Sequence, residues 1–343
     1  MATLKDIAEK AGVSIGTVDR IIHNRGRFST ETAEKVRRII KELDYKPNLL
    51  ASSLSKNNTS VIAVLIPFAF QDSRYWELLL NGIESAEKEF RPYGVTVVKE
   101  FYDRYSRDNF AEALNRLPEN LSGIVTVPFY NRLLMDYLYK SDLTAYTVFL
   151  DTNIENNNSI PFIGQDSFLS GMLAARLFNY TAGNFDILLI LHPDTQNIHI
   201  RERIRGFTDF ADNDISYKKV KTEPIYDKED FYRQLDQYSE EYNRIGFFVS
   251  DASAHYAAEW AEEKNMRNRT FIVGYDLVPG NIEWVKKGVI DFILTQRPFE
   301  QGYRSVNFLF RKIFFKEEIP IKNYTPIDIV VKENIDLFIG EAE

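Results

Sequence analysis

The chain contains no cysteine, which excludes disulfides, thiolate metal sites and cysteine nucleophiles, and fits a reducing compartment. Histidine is scarce, with four residues at 23, 192, 199 and 255, and no two have the His-x-x-x-His spacing that puts a pair of zinc ligands on one helix face. There is no Gly-x-Gly-x-x-Gly and no Gly-x-x-x-x-Gly-Lys-Ser/Thr, the glycine loops that cradle dinucleotide and nucleotide phosphates. The longest apolar run, 61–70, has ten residues and includes Pro67, far short of the roughly 20 needed to cross a bilayer. The opening Met1-Ala2-Thr3-Leu4-Lys5-Asp6 has no basic stretch followed by an apolar one. The expectation is a cytoplasmic chain with no membrane anchor and no cofactor. Positive charge is also short: 42 Lys and Arg stand against 50 Asp and Glu, a net −8, which argues against binding a polyanion over the whole surface.

The 343 residues are 44% apolar and 14% aromatic, enough for packed cores in two or three domains. Their charge is unevenly placed. Residues 1–60 hold eleven Lys and Arg and seven Asp and Glu, a head of +4 on a body of −12. A basic head on an acidic body suggests an anionic partner for the first segment and a different task for the rest. The head reads as three short helices. Thr3 with Asp6 three residues on is an N-cap with an acidic first turn, Ile7, Ala8 and Ala11 face inward, and Gly12 ends the helix. Ser14 caps a second helix with Val18, Ile21 and Ile22 inward and Ile15, Gly16, Asp19 and Arg20 outward. Ser29 caps a third, whose Val36, Ile39, Ile40 and Leu43 keep the i, i+3, i+4, i+7 pattern before Pro47. Spacing alone leaves open whether this is a ligand-free three-helix bundle or a helix-turn-helix with Arg20 free to enter a major groove.

Beyond spacing, Thr3-Leu4-Lys5-Asp6-Ile7-Ala8, Ala11-Gly12-Val13-Ser14, Thr17-Val18 and Leu43-Asp44-Tyr45-Lys46-Pro47-Asn48, with Ala51 and Leu54, resemble the DNA-binding head of the lactose/purine repressor (LacI/GalR) family. The resemblance implies that Thr3, Ser14, Thr17, Ser29 and Thr32 position the head on phosphates while Ile15, Gly16 and Arg20 occupy base-reading positions. It places His23 on the DNA face or in solvent, Asn48 and Ala51 in a hinge helix, and Leu54 as a minor-groove wedge. Two departures bear on specificity. Gly16 has no side chain to read with, and Asp19 puts a carboxylate where the family has serine, able to orient Arg20 or accept from a cytosine amino group. Fewer direct base contacts are expected, with more of the selectivity in Arg20, Ile15 and the minor-groove kink.

From residue 61 on, apolar β-rich runs at 61–67, 95–98, 123–128, 146–151, 186–191, 245–250, 270–276 and 291–296 alternate with helix-length amphipathic segments, the pattern of parallel sheet built from βαβ units. Ligands of such sheets bind beyond the carboxyl ends of the strands. Phe68, Gln71, Phe129, Tyr130, Asp151, Asp251, Asp276 and Gln296 stand there, a mixture of ring platforms and hydrogen-bonding groups suited to a sugar or another small polar ring. An Asp after a strand is as often the cap of the next helix.

The body resembles the effector domain of the same family, and its second half the ribose-type periplasmic sugar-binding proteins, through Val273-Gly274-Tyr275-Asp276, Gly288-Val289-Ile290, Thr295-Gln296-Arg297-Pro298, Gln301-Gly302 and Arg201-Glu202-Arg203 before Gly206-Phe207. The resemblance implies effector contacts from Arg203, Asp276 and Gln296, from the aromatic pair Tyr75 and Trp76, and from Asp151. Ser250, before Asp251, stands where the family has an asparagine, which removes one bidentate partner. Asp166 matches a crossover aspartate or caps the helix that follows.

Together these imply an α/β protein: an N-terminal three-helix helix-turn-helix head (1–47), a hinge helix and linker (48–60), and a two-lobed periplasmic-binding-protein-like body of parallel sheets flanked by helices (61–343). The first lobe takes about 61–164 and 299–323, the second about 165–297 and 325–343. The expected function is a homodimeric transcriptional regulator, a repressor by family habit, that binds a near-palindromic operator and is controlled by a small carbohydrate effector, with no catalysis. A sugar-acting enzyme with carboxylates hidden in the cleft and a sugar-binding protein without DNA regulation are the alternatives.

Overall fold

The computed structural model describes residues 3–22, 26, 28–43, 59–141, 146–180, 185–193, 197–214, 220–224 and 228–339. Helices α1 (Leu4–Ala11), α2 (Ile15–Ile22) and α3 (Thr30–Glu42) form the head. Thr3 and Asp6 make a reciprocal capping box, and Gly12, at φ 69°, ends α1 in the left-handed region that a residue with a Cβ adopts only under strain. Ser29 caps α3 by accepting from the Thr32 amide. Ile7, Ala8, Ala11, Val18, Ile21, Ala33, Val36 and Ile39 close one small core, so the inward faces read from periodicity meet each other.

The body has two six-stranded sheets. The first contains β1 (Ser60–Pro67), β2 (Val95–Tyr102), β3 (Gly123–Thr126), β4 (Tyr146–Asp151), β5 (Phe162–Gly164) and β11 (Lys322–Tyr324), in the order β11-β5-β4-β3-β1-β2 and parallel throughout. The second contains β6 (Ile187–His192), β7 (Val220–Pro224), β8 (Ile245–Val249), β9 (Thr270–Tyr275), β10 (Phe292–Thr295) and β12 (Asp328–Val330), in the order β12-β10-β9-β8-β6-β7. Here β12 runs antiparallel to β10, pairing Ile293 with Val330, an exception to the all-parallel expectation. It follows the third crossover between sheets, a short link that returns the chain to the second sheet with no helix to reverse its direction.

In the first lobe helix α4 (Tyr75–Phe90) packs on α12 (Pro298–Phe315), and in the second α7 (Ser167–Tyr180) packs on α8 (Ile198–Asp214). The lobes meet at their strand ends: Ala252 and Val278 of the second pack into the apolar cluster of the first that holds Tyr75 and Trp76. Strands β7, β11 and β12 escaped sequence reading because they lie at sheet edges and carry polar residues such as Lys221, Asn323 and Asp328 in place of an apolar run, and β5 has only three residues. Strand β2 runs on to Tyr102, past the expected end at Val98. It lies at the sheet edge and pairs only with β1, where Lys99 and Glu100 are tolerated.

Candidate functional site

The carboxyl ends of β1, β2 and β4 face those of β6, β8, β9 and β10 across a small polar cleft, the place where ligands of such sheets bind. Tyr75, Trp76 and Asp151 from the first lobe and Arg203, Asp276 and Gln296 from the second all line it. Asp151 and Asp276 each end a strand in the left-handed region, at φ 65° and 63°, a conformation aspartate tolerates better than most residues and one that clusters at binding sites.

In the second lobe the polar groups form a relay. Arg203 Nη2 donates to Gln296 Oε1 at 3.0 Å, and Gln296 Nε2 donates to Asp276 Oδ2 at 2.9 Å. Arg203 Nη1 donates to the Ser250 carbonyl at 2.8 Å, and the guanidinium lies 3.8 Å from the centroid of the Tyr275 ring. Buried Asn281 donates from Nδ2 to the carbonyls of Ala252, Tyr275 and Asp276, tying together the loops that follow β8 and β9. In the first lobe the Tyr75 hydroxyl donates to Asp151 Oδ1 at 2.6 Å.

The structure departs from the sequence reading at Ser250, which does not line the cleft. Its side chain is buried with no partner for Oγ among the described residues, and its carbonyl is what holds Arg203. The side chains that face the cleft after β8 are Asp251 and Ala252. Asp72 and Arg104 also line the cleft and were missed. They form an ion pair, with Asp72 also accepting from Trp76 Nε1 at 2.5 Å and from the Tyr105 hydroxyl at 2.9 Å. Arg104 follows the true end of β2, so ending that strand at Val98 hid a residue that the strand-end rule would have found. Of the residues read as ring platforms or polar contacts, Phe129 lies under the Arg104 guanidinium, 4.7 Å from centroid to carbon, the Tyr130 hydroxyl donates to the Arg104 carbonyl, and Gln71 Oε1 accepts from the Arg104 amide. They hold Arg104 from behind. Asp166 accepts from the Leu169 amide and caps α7.

Burial dominates the electrostatics. It pushes the Asp276 carboxyl up to about 7 against the downward pull of Arg203 and the Gln296 amide, and it raises Asp151 and Asp251 as well. His199 is held well below the ordinary histidine range by burial and by Arg203 and Arg104, so it is neutral at pH 7. For an acid whose folded pKa lies above its unfolded value, the stabilisation is complete below the unfolded pKa and is lost as pH rises through the folded one. The unliganded chain is therefore expected to melt at progressively lower temperature as pH is raised from about 4 to about 7, more steeply than Asp276→Asn. Parallel melting curves for the two proteins over that range would contradict the assignment.

On the head, Ile15, Gly16 and Arg20 are exposed, Thr17 and Asp19 half-buried, and Arg20 is laid back on its helix, Nε donating to the Gly16 carbonyl at 3.0 Å. The Ser14 hydroxyl accepts from the Thr17 amide and contacts its hydroxyl. Residues 12–16 read Gly-Val-Ser-Ile-Gly, the spacing of a hydrolase nucleophile elbow, but they join two helices and not a strand to a helix, so the sharp turn that exposes a nucleophile is missing. His23, Asn48, Ala51 and Leu54 lie outside the described residues. Among the described residues no helix is long and apolar enough to cross a membrane, and no group of three potential ligands could hold a metal ion.

Two lobes joined by three crossovers, with a polar cleft where their strand ends meet, define a periplasmic-type binding body, here preceded by a helix-turn-helix. Residues 62–317 match the periplasmic binding protein domain family, and residues 3–48 match the bacterial regulatory proteins of the lacI family. The chain belongs to the periplasmic binding protein domain family through its body and carries a lacI-family helix-turn-helix domain as its head. It is 42% identical over 90 residues to the HTH-type transcriptional regulator MalR of Streptococcus pneumoniae, a match spanning 25% of this chain and only 27% of that protein. It is 26% identical over 282 residues to the ribose operon repressor of Lactococcus lactis, spanning 80% of this chain and 81% of the relative. The glucose-galactose binding protein GanP of Geobacillus stearothermophilus superposes with a TM-score of 0.69 at 21% identity, over 81% of this chain and 99% of its own, and so shares the fold.

Proposed function

We propose that the chain is a transcriptional repressor that binds a near-palindromic operator as a homodimer and is released or recruited by a small carbohydrate in the interlobe cleft. The observation that carries this is the pairing, in one chain, of an exposed helix face at Ile15, Gly16 and Arg20 with a cleft whose Arg203, Gln296 and Asp276 form a prearranged donor and acceptor set. Relatives named for the ribose and sucrose operons support a sugar as the effector. In this reading Thr3, Ser14, Thr17, Ser29 and Thr32 contact phosphates, Arg20 and Ile15 read bases with Asp19 beside them, and Asn48, Ala51 and Leu54 contact the minor groove. The chain then works in the cytoplasm, and the cleft releases its ligand unchanged.

The test is to select operator sequences from random duplexes with the full chain and to measure binding by fluorescence anisotropy. Arg20→Ala is expected to cost about 1–3 kcal/mol on the selected site and to relax the preference at one base pair of each half-site. Unchanged selectivity in Arg20→Ala would remove the recognition role from α2.

A further inference from the structure

We propose that the ligand of the cleft is an amino sugar, a polyhydroxylated ring bearing one protonated amine; this rests on the carbohydrate reading above and narrows it. Four aspartates, Asp72, Asp151, Asp251 and Asp276, line the cleft against two cations, Arg104 and Arg203. Asp72 is paired with Arg104. The other three carboxylates make no ion pair among the described residues, and Arg203 spends its two terminal nitrogens on the Ser250 carbonyl and the Gln296 amide. The formal charge of the lining is thus −2 while His199 is neutral.

Oxygens stand open beside that charge. Asp151 takes the Tyr75 hydroxyl on Oδ1, and Asp251 takes the Ser253 amide and hydroxyl on Oδ1; the second oxygen of each has no donor among the described residues. Asp151 is 4% exposed, so leaving its charge unpaired is costly. Burial raises the pKa of all three carboxyls by more than Arg203 and Arg104 lower them, so the two cations leave the acids under-compensated. Hydroxyls are called for as well: the open oxygens of Asp151 and Asp251 accept hydrogen bonds that a polyhydroxylated ring can donate. A neutral sugar would fill that need and leave the charge excess in place, and a sugar acid or phosphate would worsen it. A ring with hydroxyls and one ammonium group answers both, forming a charge-assisted bond to an open carboxylate.

The experiment measures affinities of the full chain for glucosamine, galactosamine and mannosamine, each beside its parent hexose and its N-acetyl derivative, with glucuronate as the anionic control. At least one amine is expected to bind about tenfold or more tighter than its parent and its N-acetyl form, and that ratio to fall toward one in Asp151→Asn or Asp251→Asn. A parent hexose, N-acetyl sugar or glucuronate binding as tightly as the best amine overturns the inference while leaving a carbohydrate effector standing. A panel in which nothing binds overturns the inference together with the carbohydrate reading.

Discussion

Gly171→Val is expected to disrupt the second lobe and abolish ligand binding by the same movement. At Gly171 α7 crosses α8 so closely that a Cβ would lie 2.0 Å from the Arg203 carbonyl oxygen, and at Gly206 on α8 a Cβ would lie 2.0 Å from the Phe168 carbonyl. The obstacles are backbone atoms, so no rotamer change relieves them. Overpacking a well-filled core costs about 1–3 kcal/mol, and a backbone clash between two helices belongs at or above the top of that range. Relief requires α8 to move, and α8 carries Arg203. The expected result is a large drop in melting temperature with no ligand-induced shift. Gly16→Ala is the control: at that exposed helix position a Cβ meets only the Ser14 hydroxyl oxygen at 3.9 Å, so stability should hold or rise by up to about 1 kcal/mol. A Gly171→Val protein that melts like the parent would contradict the packing. Gly82 and Gly302 make the equivalent crossing of α4 and α12 in the first lobe.

Arg203→Met is expected to cost stability and to reduce ligand affinity by about a hundredfold or more. The side chain is 2% exposed, and its removal leaves the Gln296 amide oxygen and the Ser250 carbonyl, both on buried residues, without their donor. It also removes the nearest cation from Asp276 and Asp151, whose carboxyls burial already pushes up. Breaking a buried charged arrangement by deleting one member costs about 3–5 kcal/mol, mostly through the partners left behind. Methionine replaces the unbranched stem as far as the position of Nε but not the guanidinium that lies over the Tyr275 ring, so the loss combines charge, hydrogen bonds and that contact. Two signatures separate this from simple unfolding. The destabilisation should shrink as pH falls toward about 5, where Asp276 is protonated, and calorimetry should show a folded protein that no longer binds. Destabilisation of equal size at every pH would argue against the electrostatic origin.

The head was legible residue by residue because its signals are local: a capping box at Thr3, a left-handed stop at Gly12, and a cap at Ser29 that takes the Thr32 amide. In the body, central strands announced themselves as apolar runs, and the polar edge strands β7, β11 and β12 did not. The strand-end rule brought Asp151, Asp276 and Gln296 together, and it passed over Arg104 only because the charged edge of β2 looked like its end. Asp72 sits in a run of left-handed residues, Asp72, Ser73 and Arg74, that no pattern of residue types suggests. Ser250 and Asp251 show how a one-residue difference in a loop exchanges a side chain for a carbonyl. Asn281 and the paired glycines act between segments far apart in sequence, a kind of contact that periodicity does not encode.

Coupling between cleft and head is tested most directly by titrating the sugar that gives the largest thermal shift into the free chain and into the chain saturated with its selected operator. Linkage requires the two dissociation constants to differ by the factor by which the sugar changes operator affinity, typically about 5–150-fold in allosteric proteins. A difference of that size, equal in both directions and abolished in Asp276→Ala, is the predicted result. Equal sugar affinity in the free and the operator-bound chain would contradict control of the head by the cleft.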